Sequence, residues 1–395
     1  MVVATDKSNG RSIPATNISP NTIIELEKGD PAVFEKYWRK RGEECSIVIR
    51  GWEMMSYHGD AKNNVCWYML PEVERSIRRL HHVVGNAVTH DRYIVVGTGA
   101  TQLFQAAVFA LSPSHPSKPI NVLAAAPFYS EYQDEISILR SGLYQWGGDA
   151  ASYKKNEPYI EVITSPNNPD GIIRGPVVKS EAKGKLIHDL AYYWPHYTPI
   201  THQAGHDLML FTFSKCTGHA GSRFGWALVK DIEVAKKMTR YVQLSSIGVS
   251  KETQTRVVKI IGVVCDGYQN FGSMESELFF EYSKHLLRER WEKLWAVIDE
   301  SKVFSVAKYP KAFCNFTNES SEPSPGFIWL KCEDGVEDCE SYLLEKLKVR
   351  ARAGKRFGVD SKYARISMIG TDDDFNEFLR RVSNAKKECE KGVNF

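Results

Sequence analysis

Between residues 92 and 230, short apolar runs alternate with helix-spaced stretches, and this alternation restricts the chain more than any other feature. "RYIVVG" (92–97) reads as a strand and "TQLFQAAVFAL" (101–111) as a helix; "INVLAAAP" (120–127) and "SEYQDEISILRSG" (130–142) repeat the pair. Strand-like runs follow at "YIEVITSP" (159–166), "KLIHDLAYY" (185–193), "LMLFTFSK" (208–215) and "GWALVK" (225–230). Continuously apolar strands separated by helices bury both faces of a sheet. The pattern therefore predicts an α/β fold: a doubly wound, mostly parallel sheet of six or more strands, seven-stranded in type.

Beyond it, "EVAKKMTRYVQL" and residues 275–301 read as long helices, the second with Leu278, Phe279, Tyr282, Leu286 and Leu287 at helical spacing. From about residue 303 the order becomes strand "GFIWLKC" (326–332), helix "CESYLLEKLKV" (339–349), strand "YARISMIG" (363–370) and helix "DDFNEFLRRVSNAKKECE" (373–390). We expect a large α/β domain over 45–302 and a small α+β domain built from both chain ends, 1–44 and 303–395. "TNESSEPSPG" (317–326) reads as a surface loop, and there is no internal repeat.

With 395 residues, 43% of them hydrophobic, the chain can bury a sizeable core. Its net charge of +3 is near balance, and bases are interleaved with acids, as in "EYSKHLLRERWEKLW" (281–295). That argues against a nucleic-acid or membrane surface. No run of 18 apolar residues exists, so no membrane span is predicted. The first 30 residues carry neither a signal-peptide block nor a transit-peptide pattern, and a cytoplasmic location is expected. The eight cysteines show no CxxC pair or His/Cys ligand spacing. Reduced thiols and no metal site are expected. The sequons at Asn17, Asn315 and Asn318 then read as chance matches.

The chemistry clusters at strand ends. "VVGTGATQL" (95–103) runs from a strand through a glycine turn into a helix, where free N–H groups can hold a phosphate; such turns also serve mere chain reversal. "SPNNPDG" (165–171) is an Asn-Pro turn after a strand, and "HDLAYY" (188–193) ends a strand on an aspartate, elsewhere a common cap or ion-pair partner. "FTFSKCTGHAGSRFGWALVK" (211–230) sets a lysine after an apolar strand, with an arginine eight residues on. Alone, it could be a solvated strand-end lysine. Together these residues meet one set of requirements. Pyridoxal phosphate needs a reactive lysine, an acid at its ring nitrogen, donors to its phenolic oxygen, and cations plus N–H groups at its phosphate.

At these motifs, and at "KGDPAVFEKYW" (28–38) and "AAAPFYSEY" (124–132), the sequence resembles the fold type I pyridoxal-phosphate enzymes. Within them it resembles the alliinase-like group that includes plant tryptophan aminotransferases. The resemblance spans nearly the whole chain. It implies that Lys215 is the Schiff-base lysine, that Asp189 pairs with the ring nitrogen, that Asn168 and Tyr192 donate to the phenolic oxygen, and that Tyr129 stacks on the ring. Phosphate would be held by the N–H groups of Gly99, Ala100 and Thr101, the Thr101 hydroxyl, Ser214 and Arg223. Ala100 stands where relatives often carry serine, so one phosphate hydroxyl is missing and Thr101 must carry more, which bears on cofactor affinity and not on cofactor identity. Arg365 would grip the substrate carboxylate, and Tyr57 would reach a neighbouring subunit's phosphate, implying a homodimer with shared sites. His188 and His219 flank these residues and read as structural.

The implied activity is amino transfer from L-tryptophan to pyruvate, giving indole-3-pyruvate and alanine. Two alternatives stay open: β-elimination from S-substituted cysteine sulfoxides, as in alliinases, and cofactor binding without turnover. The cysteine-rich N-terminal module and signal peptide of secreted alliinases are not found in the sequence, which favours amino transfer.

Overall fold

The computed structural model describes residues 18–58, 64–269, 277–301, 303–333 and 335–390. The Asn17 sequon and most of the segment read for a leader lie outside the described residues.

Near the N-terminus lie a two-residue strand, β1 (Ile24–Glu25), and a short helix, α1 (Glu35–Lys40). α2 (Pro71–Val84) opens with proline, whose missing N–H costs nothing there, and closes on Gly85 at φ 69°, a left-handed turn suited to glycine. The central layer is a seven-stranded sheet: β2 (Tyr93–Gly97), β3 (Ile120–Ala124), β4 (Tyr144–Asp149), β5 (Tyr159–Thr164), β6 (Gly184–Asp189), β7 (Leu208–Thr212) and β8 (Gly225–Val229). Their spatial order is β2-β8-β7-β6-β5-β3-β4. β8 runs antiparallel to both neighbours; all other pairs are parallel. Every residue of β3, β5, β7 and β8 is buried, which is why these strands read as unbroken apolar runs. The connecting helices are α3 (Ala100–Leu111), α4 (Tyr132–Ile138), α5 (Phe213–Cys216), α6 (Ile232–Ser246) and α7 (Lys251–Gln269). α3 packs on α6, and α2 on α7.

α8 (Phe279–Ile298) serves two hydrophobic cores: Phe279, Phe280 and Leu287 join the first, Trp291, Leu294 and Ile298 the second. The second core lies under a smaller antiparallel sheet. It contains β9 (Phe304–Val306), β12 (Phe327–Cys332), β14 (Arg352–Ala353) and β15 (Tyr363–Ser367), ordered β14-β15-β12-β9. β10 (Ala312–Cys314) and β11 (Glu319–Ser321) form a separate hairpin, and β13 (Val349–Arg350) pairs with β1. α9 (Cys339–Leu347) and α10 (Asp372–Glu390) complete the chain.

Several details differ from the sequence reading. α2, β4 and α7 occupy stretches in which no element was read; β4, "YQWGGD", hides behind two glycines and a register shift against β3. The strand read over 208–215 stops at Thr212, because the Thr212 hydroxyl caps α5 by accepting from the Ser214 N–H at 3.2 Å. Part of the loop read over 317–326 is strand β11. The expectation of reduced thiols fails at one place: Cys332, ending β12, is disulfide-bonded to Cys339, opening α9, with Cα atoms 5.6 Å apart and both residues fully buried. The spacing matches no motif; only the fold brings the two sulfurs together.

Candidate active site

The C-terminal ends of the parallel strands face the smaller sheet across a cavity of about 710 Å³. Ligands bind at such strand ends in α/β sheets. Ala100, Thr101, Tyr129, Asn168, Asp189, Tyr192, Ser214, Lys215, Arg223 and Arg365 all line it. Gly99 lies behind Arg223, and Tyr57 does not reach the cavity but stands 59% exposed elsewhere.

One wall is the start of α3. Gly99 occupies its N-cap at φ 94° without a side-chain cap, so the first N–H groups of the helix are left to an outside partner. A Cβ at Gly99 would meet Arg223 Nη2 at 2.7 Å, so the backbone–guanidinium approach requires glycine. Arg223, itself in the left-handed region at φ 47°, donates through Nη1 to the Ala220 carbonyl at 2.9 Å, which aims the guanidinium back at this helix start. Ser214 completes the wall. The combination of helix N-terminus, fixed arginine and hydroxyl suits a phosphate.

Lys215 lies in the single turn of α5. Its amine donates to the Gly29 carbonyl and lies 5.7 Å from the centre of the Tyr192 ring. Burial, then the nearby Arg365 charge, pull its pKa down to about 7, so a neutral amine is available near neutral pH.

Asp189 ends β6. Its carboxylate accepts from the Tyr132 hydroxyl at 2.8 Å and from the Ala191 N–H at 3.1 Å. Burial raises its pKa against these bonds, so a cationic partner would be welcome there. Asn168 is held by a rigid turn: the Gly171 N–H donates to the Asn167 carbonyl at 2.8 Å, and the Asn167 amide donates to Pro127 O at 2.9 Å and Asp170 Oδ1 at 2.8 Å. Asn168 Oδ1 accepts from Arg365 Nη1 at 3.0 Å, which leaves its NH2 group to donate into the cavity.

Arg365 is 2% exposed, on β15. Its guanidinium lies 4.1 Å from the Phe327 ring centre and 5.2 Å from that of Phe357. Nη2 donates to the Glu27 carbonyl at 2.5 Å, while the buried Nε has no hydrogen-bond partner among the described residues. Burial, then the charge of Arg352, lower its pKa to about 10. His219 is held by Thr217 at 2.9 Å and packs on Phe213 and Trp38. His188 stacks on His206 with ring centres 3.5 Å apart, and its Nδ1 finds no hydrogen-bond partner among the described residues.

Sequence reasoning missed Tyr132, Glu135, Glu131 and Arg352, all of which line the cavity. Tyr132 and Glu135 stand three residues apart, a helical face that "SEYQDEIS" already displays, and Tyr129 lies three residues before Tyr132 in the preceding turn. Arg352 is placed by pairing across strands: it lies directly opposite Arg365, and its charge is met by Glu131 and Ser130.

The allinase family matches residues 24–386. The chain belongs to this family. It is 50% identical over 391 residues to tryptophan aminotransferase-related protein 2 of Arabidopsis thaliana, covering 97% of this chain and 88% of that relative. It is 39% identical over 377 residues to alliin lyase of Allium cepa var. aggregatum, covering 92% and 82% of the two chains. Among solved structures it resembles the aspartate aminotransferase of Thermus thermophilus with maleate, at TM-score 0.64 and 15% identity, covering 92% of this chain and 91% of that one. The aspartate aminotransferase of Rhizobium meliloti matches at TM-score 0.62 and 16% identity over 93% and 92%. The fold is that of the fold type I aminotransferases, and this family member is an aminotransferase-like enzyme of the pyridoxal-phosphate class.

Proposed function

We propose that the protein binds pyridoxal phosphate and transfers the amino group of L-tryptophan to pyruvate, giving indole-3-pyruvate and L-alanine, a step of auxin formation. The observation that carries the reading is the half-buried Lys215 amine, with its lowered pKa, in one cavity with Asp189, Asn168 and Arg365. The tryptophan preference rests on the relatives named tryptophan aminotransferase-related.

The residues present fit the cofactor. Gly99, Ala100 and Thr101 at the uncapped helix start, with Ser214 and Arg223, would hold the phosphate. Asp189, oriented by Tyr132 and Ala191, would hold a proton on the ring nitrogen. The free NH2 of Asn168 and the Tyr192 hydroxyl would donate to the phenolic oxygen, and Tyr129 would cover the ring. Bound there, pyridoxal phosphate supplies an electron sink that makes the substrate Cα acidic. Arg365 anchors the substrate carboxylate as a planar fork, with Asn168 fixing its orientation. Lys215, whose neutral form is available near pH 7, then takes the Cα proton from beside the anchored carboxylate. With the carboxylate held by Arg365, the C–H bond rather than the carboxylate bond is presented for cleavage.

We also propose a cytoplasmic homodimer in which Tyr57 completes the partner's phosphate site. In support, Tyr57 stands in a stretch whose Val48, Trp52 and Met55 are 86%, 73% and 83% exposed, a surface suited to a second subunit. A second reading, elimination from S-substituted cysteine sulfoxides, is favoured by the similarity to alliin lyases. Incubating purified protein with each substrate class, with and without pyruvate, separates the two.

A further inference from the structure

Glu135 is a carboxyl for which the reaction so far has no use. It follows Tyr132 by three residues on α4, so both side chains share one helix face, and both line the cavity with Asp189. Tyr132 bridges Thr164, at 2.7 Å, and Asp189, at 2.8 Å, so the helix face is tied to the strand end that carries the ring-nitrogen acid. Glu135 Oε2 is buried, and no hydrogen-bond donor reaches it among the described residues. Among the described residues no ion pair to Glu135 forms either. Of the basic side chains at this helix, Arg352 is taken up by Glu131 and Ser130, and Arg356 by Asp134 and Glu131. The titratable groups whose charges act between Glu135 and its surroundings are Asp189 on β6, Glu131 and Tyr132 at the start of α4, Tyr129 in the preceding turn and Tyr241 on α6. None is a cation.

A carboxyl buried against two other carboxyls and three tyrosines, with an orphaned oxygen, is costly to keep. Resting on the cofactor reading above, we propose that Glu135 is a second carboxyl of the ring-nitrogen end of the cofactor site, acting as a positioning residue through Tyr132 and Asp189 to set how tightly that end holds a protonated pyridine ring. Burial, then Asp189 and Glu131, push its pKa up to about 8. With the site empty of positive charge, Asp189 and Glu135 cannot both ionise cheaply. A protonated ring paired with Asp189 cancels the Asp189 share of that rise and lowers the Glu135 pKa, while burial still holds it above the usual carboxylate range. Ring binding therefore releases part of a proton from Glu135, and affinity rises with pH.

The test titrates the full-length protein with pyridoxamine 5′-phosphate, which lacks the aldehyde and forms no bond to Lys215, and follows tryptophan fluorescence. If ring binding lowers the Glu135 pKa by about one unit, affinity tightens about fivefold between pH 7 and pH 9. Glu135→Gln keeps the shape and removes the titration, so this fivefold component should vanish, while any slope from Lys215 is common to both proteins. A parallel isothermal titration in two buffers should show extra proton release by the wild type in that range. Equal pH slopes and equal proton release in the two proteins would overturn the inference while leaving the cofactor reading intact. Failure of the wild type to bind the probe would overturn both.

Discussion

Replacing Arg365 by lysine keeps a positive charge and removes the fork, and the size of the loss can be worked from its surroundings. The guanidinium is 2% exposed, spans Asn168 at 3.0 Å and the Glu27 carbonyl at 2.5 Å, and stacks 4.1 Å from the Phe327 ring centre. Solvent screening is weak at such a site, so the discount applied to surface pairs does not operate. A hydrogen bond to a charged group contributes about 1.5–3 kcal/mol, and a lysine amine cannot offer a carboxylate two parallel donors from this position. Arg365→Lys should therefore cost about 2–3 kcal/mol of carboxylate recognition, or about 30- to 150-fold in kcat/KM. Steady-state rates with tryptophan varied at fixed pyruvate, and the reverse, measure both sides. Thermal unfolding of the variant checks that the fold survives. Both substrates carry the carboxylate, so both should weaken alike. A loss confined to one of them, or none beyond threefold, would refute the assignment of Arg365 as the shared anchor.

Other expectations follow from the same geometry. Lys215→Ala should abolish the visible absorbance of lysine-bound cofactor and nearly all turnover; a coloured, active variant would remove the lysine from the reaction. Because Lys215 must be neutral and its pKa is lowered to about 7, turnover should fall as pH drops below about 7, and a rate flat down to pH 5 would contradict the burial argument. Asp189→Asn should slow Cα deprotonation by orders of magnitude while phosphate contacts still retain cofactor, checked by isotope exchange at Cα alongside cofactor content. His81, His188 and His196 are held neutral by burial, with pKa values lowered to about 4, 3 and 3. The unfolded chain takes protons near pH 6.5 and the native one does not, so stability should be lost as pH falls below about 6.5, visible as a falling urea midpoint. An unchanged midpoint from pH 7 to 5 would contradict it.

The sheet was legible because β3, β5, β7 and β8 are buried on both faces and leave unbroken apolar runs, a signal that survives without tertiary information. β4 was not, since its two glycines and edge position break the run. The cavity was legible where chemistry forces a residue type next to a turn: Gly99 before a helix, Asn168 in a proline turn, Asp189 at a strand end. Residues placed by long-range pairing were not. Arg352 enters only because β14 lies beside β15. The Cys332–Cys339 bridge spans only seven residues, but its spacing matches no motif, and it forms because α9 begins beside the end of β12. Tyr132 and Glu135 lay between. Their three-residue spacing was visible, but nothing local says that this face of α4 looks toward Asp189.

Amino transfer is decided by incubating purified protein with L-tryptophan, with and without pyruvate, and quantifying indole-3-pyruvate, alanine and ammonia together. Indole-3-pyruvate and alanine should form in equal amounts, only when pyruvate is present, with little ammonia. Release of pyruvate and ammonia from S-alkylcysteine sulfoxides without any acceptor, at rates far above those for tryptophan, would contradict it.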